Sequence, residues 1–137
     1  MTHQDGLRGM AQTEALLANE YFQVRRHGDV AVVIPSPEVE QLPESLMQPA
    51  ASMLLAPLKQ DPPSHLIVDL TGVRYFGSSF ITFLLRLHLI TKSRGSELIL
   101  AGVNNRVREL LKTTALDTIW ALYETSQEAL AALGGLD

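Results

Sequence analysis

The sequence SSFITFLLRLHLITKSR at residues 78–94 lies between two short apolar runs, HLIVDL at 65–70 and ELILA at 97–101. Pro-Pro-Ser precedes the first run and Thr-Gly follows it, and glycines 95 and 102 bound the second. Apolar runs of this length with such boundaries are typical of strands in the centre of a sheet. The intervening segment is long enough for a helical, right-handed crossover, which predicts two parallel, neighbouring strands.

A β-hairpin is predicted before this strand–helix–strand unit. Two β-prone runs, 21–26 and 30–34, flank His27-Gly28-Asp29. Gly28 adopts the positive φ of a tight hairpin at no steric cost. The domain is therefore expected to begin near Glu20, with residues 20–137 forming one domain and residues 1–19 an N-terminal arm or short helix.

Prolines dominate the segment between the hairpin and the first central strand, at positions 35, 37, 43, 49, 57, 62 and 63. Each proline fixes φ and removes a backbone hydrogen-bond donor, so a long regular helix is not expected. We predict one short, interrupted helix around Met47 to Leu58, with a buried face formed by Leu54, Leu55 and Leu58. An ordered loop packed by the same leucines is an open alternative.

Three further elements are predicted after the second central strand. Asn104 or Asn105 can cap an amphipathic helix with Val107, Leu110 and Leu111 on its buried side. Residues 120–123 are apolar enough for a short edge strand. Thr125-Ser126-Gln127-Glu128 has the spacing of a capping box and predicts a last helix to Leu133. Together these patterns predict an α/β fold with a small mixed sheet of four to five strands.

Composition excludes several functional classes. A chain of 137 residues with 46% hydrophobic residues is sufficient for one core. Its formal charge of −4 is distributed without a basic stripe for nucleic acid. It has no cysteine, and no segment has the pattern of a secretory signal or a membrane span. A cytoplasmic protein that binds no nucleic acid and does not span a membrane is expected.

No catalytic, metal or cofactor site is predicted. The histidines at 3, 27, 65 and 88 have no metal-ligand spacing. Asp69 ends a strand without a second acid or base to share proton transfer, and is expected to cap the following turn. Phosphate-binding glycine loops and the hydrolase serine elbow are likewise missing from the sequence.

Ser78 and Ser79 lie at the predicted start of the central helix. One interpretation is structural, because a serine hydroxyl caps free amides and stabilises a helix by about 0.5–2 kcal/mol. The other is functional. The free amides and the helix dipole favour an anion at this end, so a hydroxyl here is well placed for phosphorylation.

The central helix has more apolar residues than one buried face requires. Its core face is predicted to consist of Phe80, Phe83, Leu84 and Leu87. A second apolar line, formed by Ile81, Leu85 and Leu89, lies on an adjacent face. Either the fold covers this line or a partner does.

The order of these motifs resembles the STAS domain of anti-sigma factor antagonists. The likeness runs from about Tyr21 to Leu133 and is most specific between Leu66 and Asp117. It rests on Val68-Asp69-Leu70-Thr71-Gly72-Val73, Gly77-Ser78-Ser79, the apolar helix, Arg94-Gly95 and Thr114-Ala115-Leu116-Asp117. It implies helices packed mainly on one side of the sheet.

The resemblance also implies a function, partner switching. In that family the unphosphorylated form binds an anti-sigma factor that is also a serine kinase, and phosphorylation of a serine at the start of the helix breaks the complex. The family motif D-S-S-[GA] falls on residues 77–80, so Ser78 is the implied phosphoacceptor. The implied partner-binding residues are Gly77, Ser78, Ser79, Ile81, Leu85 and Leu89.

Two positions depart from the family motif and leave alternatives open. Glycine replaces the aspartate at 77, and phenylalanine replaces a small residue at 80, where a partner backbone would approach. A STAS subunit that binds constitutively in a signalling or transport assembly is one alternative. A sensor of a small ligand or nucleotide near Asp69, Gly77 and Gly102 is another. A homodimer is also left open.

Overall fold

In the described part of the chain, five strands form one mixed sheet whose order follows the sequence. The computed structural model describes residues 21–41 and 44–134. Only the first pair of strands is antiparallel, and the other neighbours pair in parallel. The predicted mixed sheet is confirmed, whereas the N-terminal arm and its boundary lie outside the described residues. The strands are β1 (Phe22–His27), β2 (Val30–Pro35), β3 (His65–Asp69), β4 (Leu98–Ala101) and β5 (Ala121–Tyr123).

Strands β1 and β2 form the predicted hairpin. His27 pairs with Val30, so Gly28 and Asp29 make a two-residue turn. Gly28 has φ 58°, in the left-handed region that favours glycine. The hairpin and its turn residue are therefore as the sequence predicted.

Among the described residues, four α-helices and two short 3-10 turns connect and cover the strands. The helices are α1 (Glu44–Gln60), α2 (Ser78–Ser93), α3 (Asn105–Thr113) and α4 (Ser126–Ala132). The 3-10 turns are Pro37–Gln41 and Leu116–Thr118. Helix α2 links β3 to its parallel neighbour β4, with Val68 opposite Leu100. The predicted strand–helix–strand unit is confirmed.

The two faces of the sheet are covered unequally. Alternate strand residues, among them Val33, Val68 and Leu100, join a large core with side chains of α1, α2 and α3. Residues of the opposite register, such as Val32 and Ile99, pack in a smaller core against α4. The helices therefore lie mainly on one side of the sheet, as predicted.

Helix α1 corrects the sequence prediction. It is a continuous helix of 17 residues that contains Pro49 and Pro57, rather than a short interrupted one or a loop. A proline inside a helix costs about 3 kcal/mol. Met47, Leu54 and Leu58 are buried in the large core, and each such side chain gains about 1.5–3 kcal/mol on burial. Tertiary burial thus offsets the local cost, while the side chain of Leu55 lies outside the described set.

Helices α3 and α4 begin at the positions that their capping residues predicted. The Asn104 side chain accepts a hydrogen bond from the Val107 amide at 2.8 Å, and that of Thr125 accepts one from the Glu128 amide at 3.1 Å. The edge strand β5 starts one residue later than predicted. Trp120, just before it, is buried, and its Nε1 donates to His88 Nδ1 of α2 at 3.1 Å.

Candidate functional site

The loop of residues 70–77 carries the chain from the carboxyl end of β3 to the start of α2. Its first turn is closed by Asp69, whose Oδ1 accepts the Thr71 amide at 3.0 Å and the Thr71 hydroxyl at 2.5 Å. This is the turn-capping role that the sequence predicted for Asp69. Because its carboxylate is engaged in this way, Asp69 acts here as a structural residue.

Helix α3 holds the same loop from the side. The Nδ2 of Asn104 donates to the carbonyls of Val73, at 3.3 Å, and Arg74, at 3.0 Å, while its Oδ1 caps α3. The Arg106 guanidinium lies 4.2 Å from the centre of the Tyr75 ring, within cation–π range. Sequence reasoning identified Asn104 only as a cap, because its contacts with residues 30 and 31 positions earlier in the chain have no local signature.

Replacing Asn104 is expected to loosen this loop and destabilise the fold. Asn104→Ala removes one helix cap and two hydrogen bonds to loop carbonyls, for a loss of about 1–3 kcal/mol in the free energy of unfolding. Urea denaturation measures this loss. Asn105→Ala is the matched control, since Asn105 is exposed and its position is already helical. Equal stability of the two variants would contradict the role of Asn104.

Ser78 is the first residue of α2 and is exposed to solvent. The cap position falls one residue earlier, on Gly77, which has no side chain to accept a hydrogen bond. Within the part of the chain that the structure describes, the Ser78 and Ser79 hydroxyls make no hydrogen bond, so the suggested capping role is wrong. The first amides of a helix have no partner within it and carry partial positive charge, which favours an anion beside Ser78.

Gly77 has an ordinary extended backbone, with φ −105° and ψ −163°. A Cβ built there would meet no atom within 4 Å. Backbone conformation and packing therefore do not require glycine, and the aspartate of the family motif fits at this position.

Gly77→Asp is expected to stabilise the protein by about 0.5–1 kcal/mol, since a carboxylate at the cap accepts a helix amide and interacts favourably with the dipole. Thermal and urea unfolding test this. Gly77→Ala controls for the added Cβ, because it supplies no acceptor and is expected to give no gain. A loss of stability in the aspartate variant would show that the position demands glycine.

The solvent-exposed side of α2 forms a stripe that begins at Ser78. At 100° per residue, Ser78, Thr82, Leu85 and Leu89 lie on one helix face, and all four are exposed. Leu85 is 36% exposed and Leu89 65% exposed. We call these four residues the Ser78 face. Ile81 lies at its edge, partly buried against the large core, so the suggested outer line of Ile81, Leu85 and Leu89 is only partly at the surface.

Phe80 points away from this face. It is 1% exposed, and its ring centre lies 4.8 Å from that of Phe76, 5.4 Å from that of Phe83 and 6.5 Å from that of Phe22. The expectation that Phe80 stands where a partner backbone approaches is therefore wrong. Phe80 therefore lies on the core face that the sequence predicted, and its departure from the family motif falls in the core rather than on the exposed surface at Ser78.

Within the described part of the chain, the residues suggested for ligand binding lie in different surroundings. Asp69 lines a cavity of about 240 Å³ together with Thr71 and Gly72, and neither Gly77 nor Gly102 lines it. At Gly102 the space is filled, since a Cβ there would overlap the hydroxyl of Thr71. Small-molecule pockets usually enclose about 300–1,000 Å³. This arrangement gives the ligand hypothesis no specific support.

Two of the four histidines have structural hydrogen bonds. His88 Nδ1 accepts from Trp120, and His65 Nδ1 accepts the Glu97 amide at 3.2 Å. Over residues 21–41 and 44–134, no three histidine or carboxylate side chains are grouped to hold a metal ion. Across those same ranges, every helix is too short or too polar to cross a membrane.

The mixed sheet and the exposed hydroxyl at the start of the central helix place this chain in a class of small α/β domains. Comparison with known proteins identifies the family. The family model for the STAS domain matches residues 50–129, more than half of the chain. The chain therefore belongs to the STAS domain family. Comparison with curated proteins finds no significant match.

Solved structures agree with this assignment. An anti-sigma-factor antagonist (STAS) domain protein from Planctomyces limnophilus is 33% identical over 82% of this chain and 97% of its own, with a TM-score of 0.71. An anti-sigma factor antagonist from Mycobacterium paratuberculosis is 25% identical over 81% and 91% of the two chains, with a TM-score of 0.65. The phosphorylated form of the Bacillus cell fate determinant SpoIIAA shares the fold, at 15% identity over 82% and 98% and a TM-score of 0.65.

Proposed function

We propose that this STAS domain is an anti-sigma factor antagonist that binds a partner protein through the Ser78 face and releases it when Ser78 is phosphorylated. The observation that carries the proposal is the exposed hydroxyl at the helix N-terminus, on the same face as the exposed Leu85 and Leu89. Exposed apolar side chains provide affinity for a partner. A hydroxyl beside them that can be phosphorylated allows that affinity to be controlled.

The proposed partner is an anti-sigma factor that is also a serine kinase of the histidine-kinase-like ATPase type. Support comes from the 33% identical Planctomyces limnophilus protein, which is described as an anti-sigma-factor antagonist. A second support is SpoIIAA, a protein of the same fold that has been solved in a phosphorylated form. On this surface Gly77, Ser78, Ser79, Leu85 and Leu89 would contact the partner, and Ile81 would contribute only at the edge.

The free energy by which phosphorylation is expected to weaken binding is large enough for a switch. A phosphate adds about 1.5–2 negative charges at neutral pH. A hundredfold loss of affinity requires only about 2.8 kcal/mol. Burying a dianion against a surface that fits a neutral hydroxyl costs several kcal/mol unless it is paired, so one modification is sufficient to break the complex.

The proposed role is regulatory rather than catalytic, as STAS antagonists are in general. The chain would supply a surface and a phosphoacceptor, while its partner would supply ATP and the phosphotransfer chemistry. A cytoplasmic location follows from this proposal, because the kinase partner needs ATP.

The decisive experiment incubates the protein with each histidine-kinase-like ATPase encoded in the source genome, with and without ATP. We expect one of them to form a complex without ATP and to add one phosphate at Ser78, which mass spectrometry of tryptic peptides locates. Ser78→Ala is the control that should bind without accepting phosphate. Neither complex nor phosphate with any candidate would overturn the proposal.

Constitutive binding is the second candidate function, and Gly77 favours it. In the family motif an aspartate precedes the phosphoacceptor, and this chain lacks that carboxylate. If the domain is a permanent subunit, Ser78→Ala and Ser78→Glu bind the partner equally well. Loss of binding with the glutamate alone favours the switch.

A further inference from the structure

The segment that contains the Ser78 face has a charge opposite to that of the whole chain. Residues 70–96 include four cations, Arg74, Arg86, Lys92 and Arg94, and no aspartate or glutamate, although the chain has a formal charge of −4. These residues form one continuous piece of the fold, the loop before α2, the helix itself and the turn after it. The acid-free segment therefore includes the whole of α2 and the loop and turn that flank it.

Two of these cations, Arg74 and Lys92, lie near opposite ends of the apolar part of the Ser78 face. Arg74 is exposed in the loop that leads into Ser78, where α3 contributes Arg106 beside Tyr75. Lys92 and Arg94 are exposed at the far end of α2. Leu85 and Leu89 lie between the two ends, so positive charge borders an apolar centre on both sides.

Three of these cations, Arg74, Lys92 and Arg94, form no ion pair within the described part of the domain. In the described ranges, ion pairs join Arg26 to Asp61 and Arg108 to Glu124, and none of them involves Arg74, Lys92 or Arg94. Exposed charges without a partner in the domain remain available for intermolecular contacts.

A cleft next to Lys92 extends the same surface. It has a volume of about 530 Å³ and is bordered by His88, Lys92 and, across from them, Ile119, which is 47% exposed. Glu97 also borders the cleft, at its sheet end. Ile119 adds a third exposed apolar side chain near the C-terminal half of α2.

We propose that the Ser78 face selects a protein whose docking surface is acidic around an apolar centre. Arg74 and Lys92 would meet its carboxylates, while Leu85, Leu89 and Ile119 would cover its apolar residues. The occupant follows from charge complementarity, since a protein surface that presents carboxylates is attracted by this acid-free segment and a basic one is repelled. This inference rests on the proposed function and specifies the chemistry of its partner.

The inference also explains the direction of the switch. A phosphate on Ser78 would place a dianion at one end of this surface and reduce its attraction for the partner. It would also face the partner's carboxylates, and like charges across an interface reduce affinity. The neutral hydroxyl has neither effect, so the unphosphorylated form is the one that binds.

The test measures affinity for the histidine-kinase-like protein that forms a complex in the experiment above. The double variant Arg74→Glu/Lys92→Glu is expected to bind at least about tenfold more weakly than wild type, mainly through slower association. Raising the salt from about 50 to about 300 mM should weaken wild-type binding and have less effect on the double variant. Arg25→Glu, a charge reversal on the opposite face of the sheet, is the control and should change affinity less than about twofold.

Each outcome is decisive. A complex whose affinity is insensitive to salt and to the double charge reversal would overturn this inference and leave the proposed function standing. Failure of every candidate to bind would overturn both. Vesicles containing phosphatidylserine are a second probe, and binding to them that the double variant loses would assign the surface to a membrane instead of an acidic protein.

Discussion

Ser78→Glu is expected to weaken binding of the kinase-like partner by about tenfold to a hundredfold, and Ser78→Ala to leave it within a few-fold of wild type. A carboxylate at this position carries part of the charge of a phosphate, and its desolvation in an interface costs free energy when no cation of the partner pairs with it. Isothermal titration calorimetry with the purified partner measures both dissociation constants.

The loss of affinity in Ser78→Glu cannot arise from unfolding. A carboxylate in the first turn of a helix is stabilising by about 0.3–1 kcal/mol, so the variant should unfold at the same or a higher temperature. Ser126→Glu is the matched control, because Ser126 is the first residue of α4 on the opposite face of the sheet. Equal loss of binding in the Ser126 and Ser78 variants would show that the effect is not specific to the Ser78 face.

Phe80→Ala is expected to have the largest effect on stability, a loss of about 3–5 kcal/mol in the free energy of unfolding. The Phe80 ring is buried and contacts the rings of Phe22, Phe76 and Phe83. Its removal leaves a cavity in the large core. It also breaks aromatic contacts, which stabilise the fold by more than the burial of their apolar area alone accounts for. Urea denaturation followed by circular dichroism measures the change.

Leu89→Ala is the control for Phe80, since it removes a large apolar side chain from the opposite side of the same helix. Because Leu89 is 65% exposed, the free energy of unfolding of the variant should differ from that of wild type by less than about 0.5 kcal/mol. Its affinity for the partner should fall. A Phe80→Ala variant as stable as wild type would mean that this ring is not part of the core. A Leu89→Ala variant with full affinity would remove Leu89 from the proposed interface.

Local patterns predicted most of the fold correctly. The hairpin at Gly28, the parallel strands β3 and β4 and the caps at Asn104 and Thr125 each depend on residues close together in the chain, so their signals are visible without tertiary structure. Helix α1 was predicted wrongly for the same reason. Its prolines act locally, whereas the burial of Met47, Leu54 and Leu58 that outweighs them requires the folded core.

The candidate site was predicted in part. The position of Ser78 at the start of the central helix follows from the strand and glycine signals that precede it. Spacing alone could not show that Gly77 takes the cap, or that Ile81 turns inward while Leu85 and Leu89 stay exposed. The contacts of Asn104 and Arg106 with this loop could be identified only from the tertiary structure, because these two residues lie about 30 positions further along the chain.

The amino-acid sequence by itself determined the order of strands and helices, the family resemblance and the place of Ser78, since periodicity, turn residues and caps act over a few positions. Only the tertiary structure decided that the second apolar line of α2 is partly covered at Ile81 and exposed at Leu85 and Leu89, whereas the core position of Phe80 was already predicted from the sequence. The physical reason is that burial depends on which elements pack against a helix. Those contacts join residues distant in sequence, and their free energy exceeds the local preferences that a sequence pattern reveals.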